Sequence, residues 1–515
     1  MNKFLTHASL IIMLFSCQTD DKKERWPRGV NYEVFVLSFA DGNGDGKGDL
    51  IGLTSKLDYL KDLGVGGLWL MPVMPSPSYH KYDVIDYKGI DPAYGTVDDF
   101  KNFVMEAHKR GIQVIIDLIM NHTGSDHPWF KEAIKGKDNP YRNYYVWADK
   151  DSVAGAIAKK STSLDSDNIT QWHAVNNDTV SEHYYGYFYS EMPDLNFDNP
   201  KVKEEFVEIG KFWLTEMNVD GFRLDAAKHI FPTDRAADNH AFWVWFRAEM
   251  EKIKPEVYLV GEVWSEAEEV APYLKGLPAL FNFDMGYAIT SVVKEGKDTI
   301  NLIEKYKSIH DFYTSITPDF VDATFLKNHD QNRILSELNG DEIKMKVAAA
   351  ILFTLPGTPY VYYGEEIGMK GMKPDEYIRE PFIWSDTGED PVQTTWAVPK
   401  YSTDKTVVPL SIQRNDPKSL YSFYRKWIHY RNSSEILTSG ELSVTPIQMP
   451  EVISLIRTIG SQKRLALHNI SAEEVTVSLE GLTEFSSVDI STMEGIDISE
   501  NEVKLPAFSS TVFKN

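Results

Sequence analysis

Short apolar runs alternate with amphipathic segments between residues 29 and 433. The runs have the length and β-branched character of buried strands, and they lie at residues 30–39, 67–70, 113–120, 257–261, 323–326 and 359–363. Between them, leucines recur at helical spacing over residues 56–63, and Thr96 begins a capping box ahead of an apolar face that ends before Gly111. Alternating strands and helices predict a parallel sheet that is buried on both faces, either doubly wound or closed into a barrel.

Two stretches interrupt this alternation. Residues 123–190 are long, polar and aromatic, too long for a simple connection, and we expect an inserted domain B. After residue 433 the apolar runs become short and alternating, which predicts a small antiparallel β domain C at 434–515. These runs lie at residues 452–458, 464–468, 475–479 and 503–513. Residues 29–122 and 191–433 then form domain A.

The N-terminus is typical of an exported lipoprotein. Lys3 precedes an apolar run at 8–15 that is too short to span a bilayer and fits a signal peptide over residues 1–16. Residues 14–17 resemble a bacterial lipobox, which predicts lipidation of Cys17; an ordinary signal peptide with an incidental cysteine is the alternative. The polar tether at 17–28 has acidic residues like those of Bacteroidetes surface lipoproteins. We therefore expect a cell-surface protein, anchored in the outer membrane by lipid alone.

Charge and cysteine content narrow the function classes. The chain has 515 residues, with 53 basic and 76 acidic side chains and a formal net charge of −23. This balance argues against nucleic acid as a partner, because phosphates would be repelled, but it does not oppose a neutral carbohydrate. Cys17 is the single cysteine, so an intrachain disulfide is excluded.

Polar clusters follow four apolar runs: those at 113–120, 257–261 and 323–326, and a further short run at 219–222. In a parallel β/α barrel the carboxyl ends of all strands lie at one rim, so these clusters are expected to converge. They are Asp117 with Asn121 and His122; Arg223 and Asp225 with Lys228 and His229; Glu262; and Asn328, His329 and Asp330. One carboxylate at a strand end is usually structural, but Asp225, Glu262 and Asp330 together, with histidines and an arginine beside them, favour a reaction centre.

Three convergent carboxylates suit the hydrolysis of glycosidic bonds. That reaction needs an acid for the leaving oxygen and a carboxylate facing the anomeric carbon, close to a developing positive charge. Arg223 lies two residues before Asp225 and points to the same side of a strand, where it would keep Asp225 ionised. Asp225 then suits the nucleophile. Glu262, expected to be less compensated and crowded by other carboxylates, suits the acid.

Several motifs resemble the conserved regions of the α-amylase family of glycoside hydrolases (family 13), in the order that the family has them. They are residues 117–122, 221–229, 261–264 and 325–330, with a fifth region at 192–196 and the last barrel helix around 422–426. The resemblance implies a (β/α)8 TIM barrel with a subdomain inserted after strand 3 and a C-terminal antiparallel β-sandwich. The starch-utilisation α-amylases on the surface of Bacteroidetes are similar in character, since they share the lipobox.

The resemblance also implies residue roles. Asp225 would be the nucleophile, Glu262 the general acid/base and Asp330 the transition-state stabiliser of a retaining reaction through a covalent glycosyl-enzyme. Substrate-binding residues would be Tyr82, His122, Arg223 and His329 at the cleavage point, and Lys228 and His229 on the leaving-group side.

Residues 41–49 indicate calcium. Oxygen-bearing side chains stand at alternate positions with glycines between them, as a hard cation requires, although Gly52 replaces the glutamate that would complete an EF-hand. A solvated turn is the alternative. The resemblance implies one calcium site after the first barrel strand and a second between barrel and insert. The first would use Asp41, Asn43, Asp45, Asp49 and the Lys47 carbonyl; the second would use Asn121, Asp194 and the His229 carbonyl.

The expected activity is endo-acting cleavage of α-1,4-glucans. End-trimming α-glucosidases and oligo-1,6-glucosidases usually carry an aspartate where this chain has Tyr79, and they usually lack the pair at Lys228 and His229. The fifth region leaves neopullulanase-like activity open, and a non-catalytic starch-binding lipoprotein is the alternative from another class. An α-glucan polysaccharide or oligosaccharide is the expected partner, with surface glycan-uptake proteins as further candidates.

Overall fold

The computed structural model describes residues 29–159, 166, 170–175, 182–386, 390–496 and 498–515. Within these ranges, eight parallel strands form one sheet: β1 (Val30–Val34), β2 (Val65–Leu70), β3 (Gln113–Leu118), β4 (Gly221–Leu224), β5 (Tyr258–Gly261), β6 (Ala279–Asn282), β7 (Val321–Thr324) and β8 (Tyr360–Tyr362). Strand β1 pairs with both β2 and β8, and an isolated parallel bridge from Phe325 to Tyr360 joins β7 to β8. The predicted barrel is confirmed, and the doubly wound alternative is wrong.

Helices cover the outside of the barrel. They are Leu50–Ser55, Leu57–Leu63, Val97–Lys109, Pro200–Lys211, Ala236–Ile253, Ala267–Val270, Phe283–Glu295, Leu302–Ile316, Ile334–Glu337, Glu342–Thr354 and Leu420–Ser433. The capping box is present: the Thr96 side chain accepts from the Asp99 amide, and the Asp99 carboxylate accepts from the Thr96 amide. Phe100, Phe103, Val104 and Ala107 are buried against the barrel, as their spacing predicts.

Two local predictions were wrong, and one strand was missed. The apolar run at 30–39 is not one strand, because β1 ends at Val34 and a short helix, Val36–Phe39, follows. Strand β6 was not predicted, because its four residues separate two helical segments without an alternating pattern. The run at 503–513 is two strands, Glu502–Leu505 and Ser510–Lys514, which belong to different sheets.

The insert between β3 and β4 is a small unit of its own. Strand His183–Tyr185 lies between Trp147–Ala148 and Trp172–Ala174 in an antiparallel sheet. Short helices at Pro128–Ala133 and Lys150–Lys159 accompany it. A bridge between His122 and Asp194 fastens the two ends of the insert at the rim of the barrel.

Domain C consists of two antiparallel sheets with an apolar core. One sheet has the order Glu441–Val444, Val452–Ile459, Gln462–Asn469, Ser510–Lys514 and Ser487–Ser491; the other has Val475–Ser478, Glu502–Leu505 and Ile498–Ser499. Leu465, Leu467 and Phe513 of the first sheet share one buried cluster with Val477 and Val503 of the second. This packing is the predicted β-sandwich.

The predicted signal peptide, the tether and Cys17 lie outside the described residues. Within the described ranges, no helix has both the length and the apolar character that crossing a bilayer requires.

Candidate active site

A buried arginine organises the carboxyl rim of the barrel. Arg223 Nη1 lies 2.5 Å from Asp225 Oδ1 and 2.8 Å from Asp117 Oδ1, and its Nη2 lies 2.7 Å from Glu262 Oε2. Strands β3, β4 and β5 supply these groups side by side, with Asp117 opposite Arg223 and Leu224 opposite Gly261 in register. One guanidinium thus pairs with three carboxylates. Arg223 contacts both Asp225 and Glu262, yet burial raises the pKa of Glu262 to about 7 and that of Asp225 to about 6, which agrees with the expectation that Glu262 is the less compensated.

A second charged cluster lies beside the first. His329 Nε2 is 3.0 Å from Asp330 Oδ2, and Arg379 Nη2 donates to Asp330 Oδ1 at 3.0 Å. Tyr82 connects the two clusters, since its hydroxyl lies 2.6 Å from His329 Nε2 and donates to Asp117 Oδ2 at 3.0 Å. The side chains of Asp225 and Glu262 are each 12% exposed and that of Asp330 28%, so all three open to solvent.

Burial and charge act differently on the three carboxyl groups. Burial raises the pKa of Asp225 and of Glu262 against the opposing pull of Arg223, and neighbouring carboxylates raise both further. Burial would also raise the pKa of Asp330, but His329 and Arg379 outweigh it and hold that pKa well below its usual range. Among the three, Glu262 therefore holds a proton most readily, Asp225 ionises before it, and Asp330 stays ionised.

Two neighbouring carboxylates keep the His329 ring protonated. Its Nδ1 lies 2.5 Å from Glu33 Oε1 in β1, while its Nε2 faces Asp330. Burial would lower the pKa of His329, but Asp330 and Glu33 raise it to about 10. The ring is therefore an imidazolium at neutral pH, and both of its nitrogens donate.

The other predicted substrate residues lie on the same rim. His122 is buried, with its Nδ1 2.9 Å from Asn121 Oδ1, and burial lowers its pKa to about 4, so the ring is neutral. Lys228 Nζ donates to the Trp264 carbonyl at 3.0 Å, next to Glu262. The His229 ring stacks on Tyr187 of the insert, with centroids 3.9 Å apart.

Sequence reasoning missed three groups at this site. Glu33 stands inside the apolar run of β1, and Arg379 lies in a loop after β8, so neither follows a strand in a recognisable motif. Ala226 has a left-handed backbone, with φ of 46°, and its amide lies 3.3 Å from Glu262 Oε2. A positive φ in an alanine is sterically unfavourable, which is the signal of a constrained site but is not readable from sequence.

The loop at 41–49 is closed by its own hydrogen bonds. Asp41 accepts from the amides of Asn43, Gly44 and Gly46, and Asp49 from those of Gly42, Asn43 and Gly52. Asp41 and Asp49 are buried, whereas Asn43, Asp45 and Lys47 are exposed. In the described part of the chain, no group of three or more His, Cys, Asp or Glu side chains is arranged to hold a metal ion. A cation here would need amide and carbonyl oxygens as well.

The second predicted metal position brings its three groups together. Asn121 Nδ2 donates to the His229 carbonyl at 2.5 Å and to Asp194 Oδ2 at 3.1 Å. Burial raises the pKa of Asp194 to about 7, and no ion pair offsets this within the described ranges. Turning the Asn121 amide over would present its oxygen alongside the other two, so the donors fit a hard cation.

Comparison with known proteins agrees with this geometry. The α-amylase catalytic domain ("Alpha amylase, catalytic domain") matches residues 33–440, and "Alpha-amylase SusG C-terminal domain" matches residues 452–512. "Alpha-amylase 3" of Dictyoglomus thermophilum is 41% identical, over 98% of this chain and 97% of its own length. A "4-alpha-glucanotransferase" of Thermotoga maritima is 36% identical, over 87% of this chain and 96% of its own.

A solved structure gives the same result. The α-amylase from H. orenii superposes with a TM-score of 0.87 at 41% identity, covering 95% of this chain and 99% of that one. Both the barrel and domain C are therefore matched, and the relatives act as α-glucan hydrolases or transferases by name. The chain belongs to the α-amylase family of glycoside hydrolases.

Proposed function

We propose that this enzyme cleaves internal α-1,4-glucosidic bonds of starch and maltodextrins and retains the anomeric configuration. The observation that carries the proposal is the meeting of Asp225, Glu262 and Asp330 around Arg223 and Tyr82, open to solvent at one rim. A retaining mechanism needs this combination of a nucleophile and an acid close together. "Alpha-amylase 3", named above, is consistent with the substrate class.

Two displacements at one carbon account for the reaction. Asp225 attacks the anomeric carbon as Glu262 gives its proton to the leaving glycosidic oxygen, and a glycosyl ester on Asp225 results. Glu262 then takes a proton from water, which attacks the same carbon and releases Asp225. Asp330 stays ionised beside His329 and Arg379 and stabilises the positive charge that develops on the sugar ring.

A transferase is the second candidate, because a relative at 36% identity is named a glucanotransferase. The same glycosyl-enzyme would then pass to a sugar hydroxyl instead of water. The chemistry of the three carboxyl groups is common to both outcomes, so product analysis must separate them.

A nitrophenyl maltoheptaoside blocked at its non-reducing end is the test. We expect cleavage within the chain, with short oligosaccharides appearing before glucose. A Glu262→Gln control should release no shortened nitrophenyl oligosaccharide. An end-trimming enzyme would leave the blocked substrate whole, and a transferase would convert maltotriose into longer and shorter chains. Either result contradicts endo-hydrolysis.

We also propose calcium at the site of Asn121, Asp194 and the His229 carbonyl, and at the loop of Asp41, Asn43, Asp45, Asp49 and the Lys47 carbonyl. Bound at the first of these, a divalent cation would offset the buried charge of Asp194 and hold the insert against the barrel. Removal of calcium by a chelator should lower the melting temperature, and Asp194→Asn should lower it without chelator. Equal melting curves with chelator and with calcium would contradict both sites.

We further propose export and lipid anchoring through Cys17. The support is the sequence alone: an apolar segment followed by a cysteine and acidic residues. Labelling with a radioactive fatty acid should mark the full chain and not Cys17→Ala. Protease treatment of intact cells would then distinguish a surface position from an inner one.

A further inference from the structure

Two adjacent glutamates are buried just beyond β8. Glu365 and Glu366 begin the short turn Glu365–Ile367, where they are 3% and 0% exposed. Neither belongs to the carboxylates around Arg223, and the proposed mechanism does not use them. In the described part of the chain, neither takes part in an ion pair. Such a pair needs an explanation, because buried carboxylates are normally paired with a cation.

The hydrogen bonds that reach this pair come from tyrosine hydroxyls. Tyr32 of β1 donates to Glu366 Oε1 at 2.7 Å, and Tyr59 donates to the same oxygen. Tyr424 donates to Glu365 Oε1 at 2.8 Å. The Oε2 atom of each glutamate has no hydrogen-bond partner among the described residues. Strand β1 and two outer helices therefore meet on two carboxyl groups that are only half satisfied.

One buried guanidinium faces the pair without contacting it. Arg333 donates to the carbonyls of Ile378 at 2.9 Å and Tyr363 at 2.6 Å, and its charge lowers the pKa of both glutamates. The charge of Glu365 also acts on Lys327, whose ammonium lies over the Tyr287 ring and whose pKa burial lowers to about 8. The other titratable groups that face the pair are Tyr32, Tyr59 and Tyr424. Two ionised glutamates would thus be poorly compensated.

A buried carboxyl group without a close cation lowers its free energy by taking up a proton. Two neighbouring ones repel each other, so the first proton relieves both burial and repulsion. Glu366 accepts two hydroxyl donors and Glu365 only one, which favours the charge on Glu366 and the proton on Glu365. In agreement, burial raises the pKa of Glu365 to about 8 against the hydrogen bond from Tyr424, and the charge of Glu366 raises it further.

We propose that the folded enzyme keeps one proton on this pair at neutral pH, held by Glu365, and that loss of the proton weakens the contact of β1 and two outer helices with the end of β8. The pair is then a pH-sensitive clamp in the wall of the barrel. The inference does not depend on the proposed function, because neither glutamate belongs to the reaction centre.

The pH dependence of stability has a definite sign. In the unfolded chain Glu365 loses its proton near pH 4.5, whereas in the folded enzyme it does so near pH 8. The stability that this proton contributes is therefore fully present below about pH 4.5 and is lost as pH rises through 8. Between these values folding takes up one proton, so each pH unit changes the unfolding constant about tenfold.

Glu365→Gln imitates the protonated form and is the first test. The unfolding equilibrium constant is measured in urea for parent and variant at several pH values between 5 and 8. The ratio of the parent constant to the variant constant should rise about tenfold for each pH unit. Groups that titrate in both proteins, including those at the rim, cancel in this ratio. A ratio that stays constant with pH would overturn the proposal.

Infrared spectroscopy of the folded enzyme locates the proton. At pH 6, the parent spectrum minus that of Glu365→Gln should contain the carbonyl band of a protonated carboxyl group. Glu366→Gln is the matched control, because its amide oxygen keeps an acceptor for Tyr32 and Tyr59; here the difference should contain carboxylate bands instead. A protonated band that is lost only from Glu366→Gln, or from neither variant, would contradict the assignment to Glu365.

Tyr424→Phe tests the clamp if Glu365→Gln does not fold. The change removes the donor that favours ionised Glu365, so the protonated band should persist to a higher pH than in the parent. Tyr421→Phe is the control on the same helix, because the Tyr421 hydroxyl donates to Asp62 instead, at 3.0 Å. It should leave the titration of the band unchanged. Equal titrations in Tyr424→Phe and the parent would contradict the proposal, and no readout here requires cleavage of a glucan.

Discussion

Two buried arginine sites in this enzyme have opposite surroundings. Arg223 at the rim pairs with the carboxylates of Asp117, Asp225 and Glu262. Arg431, on helix Leu420–Ser433, instead donates to three backbone carbonyls, those of Phe353 and Leu355 at 2.7 Å and of Gly357 at 2.6 Å. The same type of side chain therefore pairs with carboxylates in one region and with backbone carbonyls in the other.

The second site joins the barrel to domain C. Arg457, from strand Val452–Ile459, donates to the carbonyls of Thr354 at 2.9 Å and of Gly440 at 2.8 Å. Burial lowers the pKa of Arg457 to about 10, and burial together with the nearby charge of Arg457 lowers the pKa of Arg431 to about 9. Both guanidiniums satisfy carbonyls where helix Glu342–Thr354 ends, which its dipole also favours.

The two regions use buried charged groups for different purposes. At the rim, crowded carboxyl groups set proton affinities for chemistry at some expense of stability. We call the contact of Arg431 and Arg457 with the end of helix Glu342–Thr354 the joint. There the two arginines donate hydrogen bonds to backbone carbonyls, which stabilises the contact between the barrel and domain C. Mutations at the rim should therefore lower activity, whereas mutations at the joint should lower stability.

The largest effect is expected at the rim. Glu262→Gln removes the proton donor and should lower kcat by roughly 10³–10⁴-fold. Because the change also relieves crowding around Arg223, the free energy of unfolding should fall by no more than about 1 kcal/mol. Hydrolysis of a nitrophenyl maltoheptaoside and urea unfolding measure the two quantities. Near-normal turnover, or a large loss of stability, would contradict the view that the rim serves activity rather than stability.

At the joint we expect the reverse. Arg431→Met leaves three carbonyls without their donor and should lower the free energy of unfolding by roughly 3–4 kcal/mol. Turnover at a temperature where the variant is folded should stay within about twofold of the parent. Arg425→Met, on the same helix, is the matched control: its side chain is 46% exposed and pairs with Asp62, so a loss of about 1 kcal/mol or less is expected.

A smaller effect tests the charge on His329. Glu33→Gln removes one of the two carboxylates that raise the pKa of this ring, so His329 should lose its proton at a lower pH than the parent value of about 10. The imidazolium is then lost as pH rises through the lowered pKa, and kcat/KM should fall by about tenfold, most at alkaline pH. Titration by NMR of the histidine ring nitrogens measures the shift directly. An unchanged titration would show that Glu33 acts only through packing.

The smallest expected effect is the coupling between Arg431 and Arg457 at the joint. Arg431 and Arg457 repel each other, since the charge of Arg457 lowers the pKa of Arg431. The double variant Arg431→Met/Arg457→Met should therefore cost less than the sum of the single variants, by about 0.5–1 kcal/mol. Urea unfolding of the four proteins gives the coupling. Full additivity would show that the two arginines act independently.

Much of the fold was readable because its signals are local. The barrel strands are apolar runs, the helix at Val97–Lys109 carries its own capping box, and the conserved motifs come at strand ends. Strand β6 and the helix Val36–Phe39 were missed because four residues are too few for a period to show. Their conformation is decided by packing within the barrel.

The site was only partly readable for a different reason. Asp225, Glu262 and Asp330 belong to continuous motifs, whereas Glu33 reaches His329 from 296 residues away and Arg379 reaches Asp330 across a long loop. The bridging of Asp225 and Glu262 by one arginine is a matter of rotamer and register, which no spacing records. The stacking of Tyr79 on Trp396 likewise brings two distant loops together.

The closure of the barrel has a mechanical consequence. Strands β4 and β5, which precede Asp225 and Glu262, are paired along four residues, whereas β7, which leads to Asp330, meets β8 through the single bridge from Phe325 to Tyr360. The wall between the two groups that make and break bonds is therefore held by a full set of strand pairs. The seam beside Asp330 has the fewest paired residues of the described cylinder, so fewer backbone hydrogen bonds restrain that wall than the one carrying the reacting pair.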